Sequence, residues 1–191
     1  MSPRHLLPIA LTAALAACSA TPTPAPSDTT HNAGGTPAQT TPATAEAQAI
    51  LNLVNAVRKT GATCPTDSEH TQANFGPATP LTLNAKLTIA AQQHSDDMAT
   101  RNYFSHNSLE GVTPQQRMVA AGYTNWSVLG ENIAAGYGGA QATFKAWMGS
   151  PSHCPNIMDP DYRELGVGYG IGLTSSGNQR DYWTQDFGAR Q

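Results

Sequence analysis

The chain has 191 residues, 10 basic against 13 acidic side chains and a formal net charge of −3 at pH 7. That length holds one ordinary domain and an additional segment. With no basic patch and no arginine-rich helix, the charge pattern argues against nucleic acid as a partner.

The additional segment lies at the N-terminus. Arg4 and His5 precede an apolar run over residues 6–17 that is too short to span a bilayer and is built like a secretory h-region. It ends in Leu15-Ala16-Ala17-Cys18, which resembles the lipobox of bacterial lipoproteins. The expectation is a signal peptide over residues 1–17 and lipid on Cys18. The protein would then be exported and held on a bacterial membrane by acyl chains, with its globular domain extracytoplasmic. An ordinary signal peptide with an incidental cysteine is the alternative reading. Cleavage would remove Arg4 and no acid, leaving 10 − 1 = 9 basic and 13 acidic residues, net −4. Residues 18–44 are Pro, Thr, Ala, Ser and Gly with almost no large apolar side chain, a composition that cannot offset its ordering entropy. They read as a disordered tether, and residues 45–191 as the domain.

With Cys18 lipidated, Cys64 and Cys154 remain as a pair in an oxidising compartment, which points to one disulfide. Closing a loop of about 90 residues would stabilise the fold by up to about 4 kcal/mol in the chain-entropy model. The competing reading makes Cys154 a thiolate nucleophile beside His153.

Residues 45–58 put Ala47, Ile50, Leu51, Val54 and Val57 on one stripe, with Gly61 just beyond, and predict an amphipathic helix. Residues 62–80, with Cys64, Pro65, Pro77 and Pro80, read as a loop. Asn84 caps a second helix running to about residue 102, with Leu87, Ala91, His94 and Met98 on its inner face. A lone histidine on such a stripe reads as a hydrogen-bonded core residue. Thr113-Pro114-Gln115-Gln116 is a capping box with proline at the first helical position. A short strand over 126–129 then leads into Gly-Glu-Asn-Ile-Ala, and a fourth helix over 140–148 buries Phe144 and Trp147.

In 164–172, Leu165, Val167, Tyr169 and Ile171 take one face of a strand, and Gly166, Gly168, Gly170 and Gly172 the other. A glycine face lets another element approach closely. Residues 174–178 form a hairpin loop, and 181–187 pair back antiparallel. Helices first and antiparallel strands last give an α+β domain.

His106, Glu131 and His153 each stand where this pattern breaks. Imidazoles with a carboxylate serve a divalent metal, or an acid–base group with its orienter, and their spacing does not separate the two. H-E-x-x-H, the G-x-S-x-G elbow and a phosphate loop are all missing from the sequence. Ser150 and Ser152, beside a turn-forming proline, read as caps rather than nucleophiles.

Five segments in order then carry a specific resemblance: H-S-D-D-M-A-T-R-N-Y-F-S-H (94–106), G-E-N-I (130–133), A-W-M-G-S-P-S-H-C-P-N-I-M (146–158), E-L-G-V-G-Y (164–169) and Y-W-T-Q-D-F-G (182–188). Together they resemble the CAP superfamily, or SCP domain, of cysteine-rich secretory, antigen 5 and pathogenesis-related proteins, and its short bacterial branch above all. The resemblance spans residues 48–188. It implies a three-layer α-β-α sandwich with a small antiparallel sheet and a cleft lined by two histidines and two acids. The family positions fall on His106, Glu131 and His153.

Zinc, calcium or magnesium held through His106 and His153, and sterol or other lipid ligands, are what the resemblance further implies. The family's second glutamate has no counterpart after Trp147, where the chain reads Met-Gly-Ser-Pro. Asp159, Asp161 or Glu164 is expected to replace it, Glu164 preferred because it begins the glycine-faced strand; a solvated strand end is its plainer role. The functional expectation is a non-catalytic envelope module taking a small-molecule, lipid or envelope ligand. The alternative is a hydrolase with Glu131 as the base on a water.

Overall fold

Alternate glycines on one strand decide how the domain is layered. β5 (Glu164–Leu173) turns Gly166, Gly168, Gly170 and Gly172 toward α2 (Ala85–Arg101). A Cβ on Gly166 would stand 2.1 Å from the Leu87 carbonyl carbon, and one on Gly168 2.2 Å from the Ala91 carbonyl oxygen. Only a strand face without side chains lets a helix backbone settle this near. Gly168→Ala is expected to force α2 off the sheet at a cost of about 1–3 kcal/mol. Chemical denaturation reads this as a lowered midpoint; an unchanged midpoint would refute the contact.

The computed structural model describes residues 42–67 and 71–191, with side chains from residue 45 onward. The expected signal peptide, Cys18 and nearly all of the tether lie outside the described residues. α1 (Pro42–Thr60) starts three residues before the expected domain boundary. β1 (Ala62–Pro65) and β2 (Gln72–Phe75) pair as a hairpin inside the segment read as loop. Four-residue strands with neither apolar alternation nor an Asn-Gly turn carry no pattern to read. β3 (Thr82–Leu83) precedes α2, whose start is capped by Asn84 accepting from the Lys86 and Leu87 amides. α3 (Pro114–Ala120) opens with the expected capping box between Thr113 and Gln116. β4 (Trp126–Ala135), α4 (Ala140–Met148), α5 (His153–Met158) and, after β5, β6 (Gln179–Arg190) complete the order.

The main sheet runs β3-β5-β6-β4. β3 lies parallel to β5 and the other pairs are antiparallel, so the sheet is mixed at one edge rather than wholly antiparallel. α2 and α3 cover the glycine face, where Leu87, Met118 and Tyr123 pack together. α1, α4 and α5 cover the other face around Ile50, Val54, Trp147, Ile157, Val167 and Trp183. The result is the expected α-β-α sandwich. Cys64 of β1 and Cys154 of α5 form a disulfide with both residues fully buried, which removes the reading of Cys154 as a nucleophile. Among the described residues no helix is long and apolar enough to cross a membrane.

Candidate functional site

β4 is an edge strand, and a groove runs along its open side. Three of its carbonyls are covered by side-chain donors: Tyr162 Oη to Leu129 at 3.3 Å, Asn156 Nδ2 to Glu131 at 3.3 Å, and Trp147 Nε1 to Ile133 at 3.1 Å. Covering an edge in this way blunts its tendency to pair with another strand. It also fixes α4 and α5 against β4, leaving side chains rather than backbone to face the groove.

His106 reaches the groove from the stretch after α2. Asn102, left-handed at φ 50°, ends that helix. His94, buried on α2, then holds the following loop through Nε2 to the Ser105 carbonyl at 3.0 Å. Burial pushes the His94 imidazole below its ordinary value, so the neutral ring donates from Nε2. The core role expected of His94 is the one it has, and through it the core sets the position of His106.

Glu131 does not stand at a break in structure. It lies inside β4, directly across the ladder from Asp186 of β6. Oε1 accepts from His106 Nδ1 at 2.7 Å and Oε2 from Arg117 of α3 at 2.5 Å. With Nδ1 donating, Nε2 of a neutral His106 ring is an acceptor on a side chain that is 52% exposed, whereas the Glu131 side chain is 3% exposed.

His153 begins α5. Its carbonyl accepts from Asn132 Nδ2 at 3.2 Å, and Asn156 Nδ2 reaches Asn132 Oδ1 at 3.0 Å, so two amides and the disulfide fix the segment. Burial, and then the neighbouring His106, lower the His153 pKa and keep its ring neutral at pH 7.

His106 and His153 line one cavity of about 340 Å³ with Phe104, Ser105 and Ile133. It continues into a space of about 440 Å³ beside Glu131, Gln115 and Met118, and into one of about 340 Å³ beside Tyr137, Trp147 and Ser150. Volumes of this order suit small ligands or a short stretch of a longer one. Phe104 and Tyr137, 47% and 50% exposed, supply apolar surface.

The structure thus brings His106, Glu131 and His153 together. Glu164 stands apart on β5, accepting from Asn84 Nδ2 at 2.7 Å and Tyr123 Oη at 2.6 Å, with Arg190 Nε at 3.3 Å. Those hydrogen bonds hold its carboxyl below the usual range against the opposing effect of burial. Asp159 spends Oδ1 on the Asp161 amide. The second acid beside Glu131 is Asp186, which sequence reading missed together with Arg117. The available signal was a carboxylate inside the otherwise core-like strand Y-W-T-Q-D-F-G.

A divalent ion would find two imidazoles here, since both Glu131 oxygens are engaged. Among the described residues no group of three or more His, Cys, Asp or Glu side chains is arranged to hold a metal. The donors therefore fit an ion only as an open site completed by water or ligand oxygen. Ser150 Oγ lies 3.1 Å from Ser152 Oγ, so the two hydroxyls pair with each other.

Comparison with known proteins bears on the family and the fold. The chain is 37% identical over 108 residues to the uncharacterized protein YkwD of Bacillus subtilis (strain 168), covering 56% of this chain and 39% of that protein. It is 35% identical over 94 residues to the uncharacterized membrane protein YlbC of the same organism, covering 49% and 24%. It therefore spans well under half the length of these relatives. Among solved structures, an extracellular SCP-domain protein from Bacillus anthracis str. Ames superposes with a TM-score of 0.56 at 26% identity, over 78% of this chain and 41% of that one. An outer surface protein from Borrelia burgdorferi shares the fold, with a TM-score of 0.50 at 23% identity over 60% and 80%. Residues 51–187, from the first helix to the last strand and including the whole groove, match the family model, and the chain belongs to the cysteine-rich secretory protein (CAP) family.

Proposed function

We propose that the domain is an extracytoplasmic ligand-binding module of the cell envelope, tethered by lipid on Cys18, and that its ligand lies in the groove along β4. The observation that carries this is the state of Glu131. Both of its oxygens are held by His106 and Arg117, so it orients a histidine rather than standing free to activate water. The groove offers imidazole and aromatic side chains, a set suited to recognising hydroxyl and amide groups. A zinc, calcium or magnesium ion, where present, would be held by His106 and His153 and would polarise a ligand oxygen. The disulfide supports an oxidising location, as does likeness to a protein described as extracellular.

Native mass spectrometry of protein purified from its own membranes tests the reading. The expected spectrum carries a lipid mass on Cys18 and a bound ligand that is lost from a folded His106→Ala, His153→Ala variant. Ligand-free wild type would overturn the binding reading, and an unmodified Cys18 the tether. Hydrolysis of a peptide or wall fragment that disappears in Glu131→Gln would replace binding by catalysis.

A further inference from the structure

Among the described residues Asp186 is the most deeply buried acid. It sits on the central strand β6 between Gly166 of β5 and Glu131 of β4, beneath α2, with no exposed surface. Neither of its carboxyl oxygens has a hydrogen-bond donor within reach. Across the ladder its partner is a second carboxyl group, whose own oxygens already accept from Arg117 and His106.

The charges around this pair are few. Arg117 faces it from α3, Glu131 from β4, His94 from α2, and His106 from the loop beyond Glu131; β5 contributes only glycine at this level. His94 is neutral, so Arg117 is the cation available, and it already forms an ion pair with Glu131. An ionised Asp186 would leave a second buried negative charge opposite the first, with all its lone pairs bare. A protonated Asp186 removes both difficulties, because it carries no charge and its O–H becomes a donor facing an acceptor, Glu131.

We propose that Asp186 is a neutral carboxylic acid at physiological pH and donates its proton in a hydrogen bond to Glu131, making it the positioning residue of the groove. The carboxyl pair then carries a single negative charge, balanced by Arg117. Glu131, fixed by Asp186 and Arg117, presents Oε1 to His106 Nδ1 and turns the acceptor Nε2 toward the groove. Asp186 thereby sets which hydrogen-bond role the exposed histidine offers, without touching a ligand itself. The direction of its pKa agrees: burial first, then the charge on Glu131, pushes it far above the usual carboxylate range.

The assignment does not require that a ligand be known, and its test is independent of binding. Carbon-13 NMR of the wild-type protein, with aspartate side chains labelled, should show one neutral carboxyl signal at pH 7 that is missing from Asp186→Asn. Asparagine keeps a donor toward Glu131, so this variant should fold and keep the His106 ring in the same tautomer by nitrogen-15 NMR. Asp186→Leu, with no donor, should lose that tautomer preference.

A raised folded pKa means that wild-type stability falls as pH rises from the unfolded value near 4 toward the folded one. Asp186→Asn should lack that decline and overtake wild type above neutrality. Only ionised aspartate signals in wild type at pH 7 would overturn the proposal, and that spectrum needs no variant to fold. An Asp186→Asn protein with the wild-type pH slope would overturn it equally.

Discussion

Arg58→Ala is expected to lose about 3–5 kcal/mol, the scale of breaking a fully desolvated charged cluster. Arg58 stands in the last turn of α1, where the sequence offers it only as a favourable charge at a helix end. The structure buries it completely. Nε donates to the Thr79 carbonyl at 2.8 Å, Nη1 to those of Ile157 and Asp159 at 2.8 Å each, and Nη2 to that of Tyr162 at 3.3 Å. Burial lowers its pKa without neutralising it. One planar group therefore joins α1 to the segment before β3, the end of α5 and the entry to β5. Alanine would strand four carbonyls, each costing about 1–3 kcal/mol before relaxation. Arg58→Lys should recover only part of the loss, because an ammonium cannot span four acceptors with a fork. Equilibrium urea denaturation measures both; an Arg58→Ala midpoint equal to wild type would refute the clip.

Removing the disulfide is expected to cost nearly as much. Cys64 and Cys154 are 90 residues apart with Cα atoms 5.6 Å apart, and a loop of that size corresponds to up to about 4 kcal/mol. For a domain of this size that is a fall of about 8–16 °C in thermal midpoint. A Cys64→Ala, Cys154→Ala variant should show it by calorimetry, and unreduced wild type should not react at either cysteine with a thiol reagent. The bridge also holds α5 beside the Asn132 and Asn156 amides. The variant should therefore capture less ligand even at temperatures where it is fully folded. Normal capture would mean that the amides alone place His153.

Much of the fold was legible along the chain. The Asn84 and Thr113 caps, the glycine face of β5 and the span of α4 rest on patterns within a few residues. The β1–β2 hairpin, β3 and α5 were not legible, since elements of two to six residues carry no period. At the site, the motifs gave His106, Glu131 and His153, and the structure gathers all three. The expectation that Glu164 completes the set followed from its place at a strand end. Strand register puts it on β5 beside Tyr123 and Arg190, and puts Asp186 opposite Glu131 instead.

The sequence by itself determined the family, through five motif segments in order, and the layers as what that resemblance implies; the cysteine pair followed from a count of thiols, a compositional fact. Tertiary structure alone decided what the buried charges do. Glu131 holds Arg117 and faces Asp186, and Arg58 fastens four distant carbonyls, because such partnerships depend on ladder register and on the loss of water around each charge. Burial makes an unpaired charge or carbonyl costly, and it is that cost, set only once the layers close, that selects the partners.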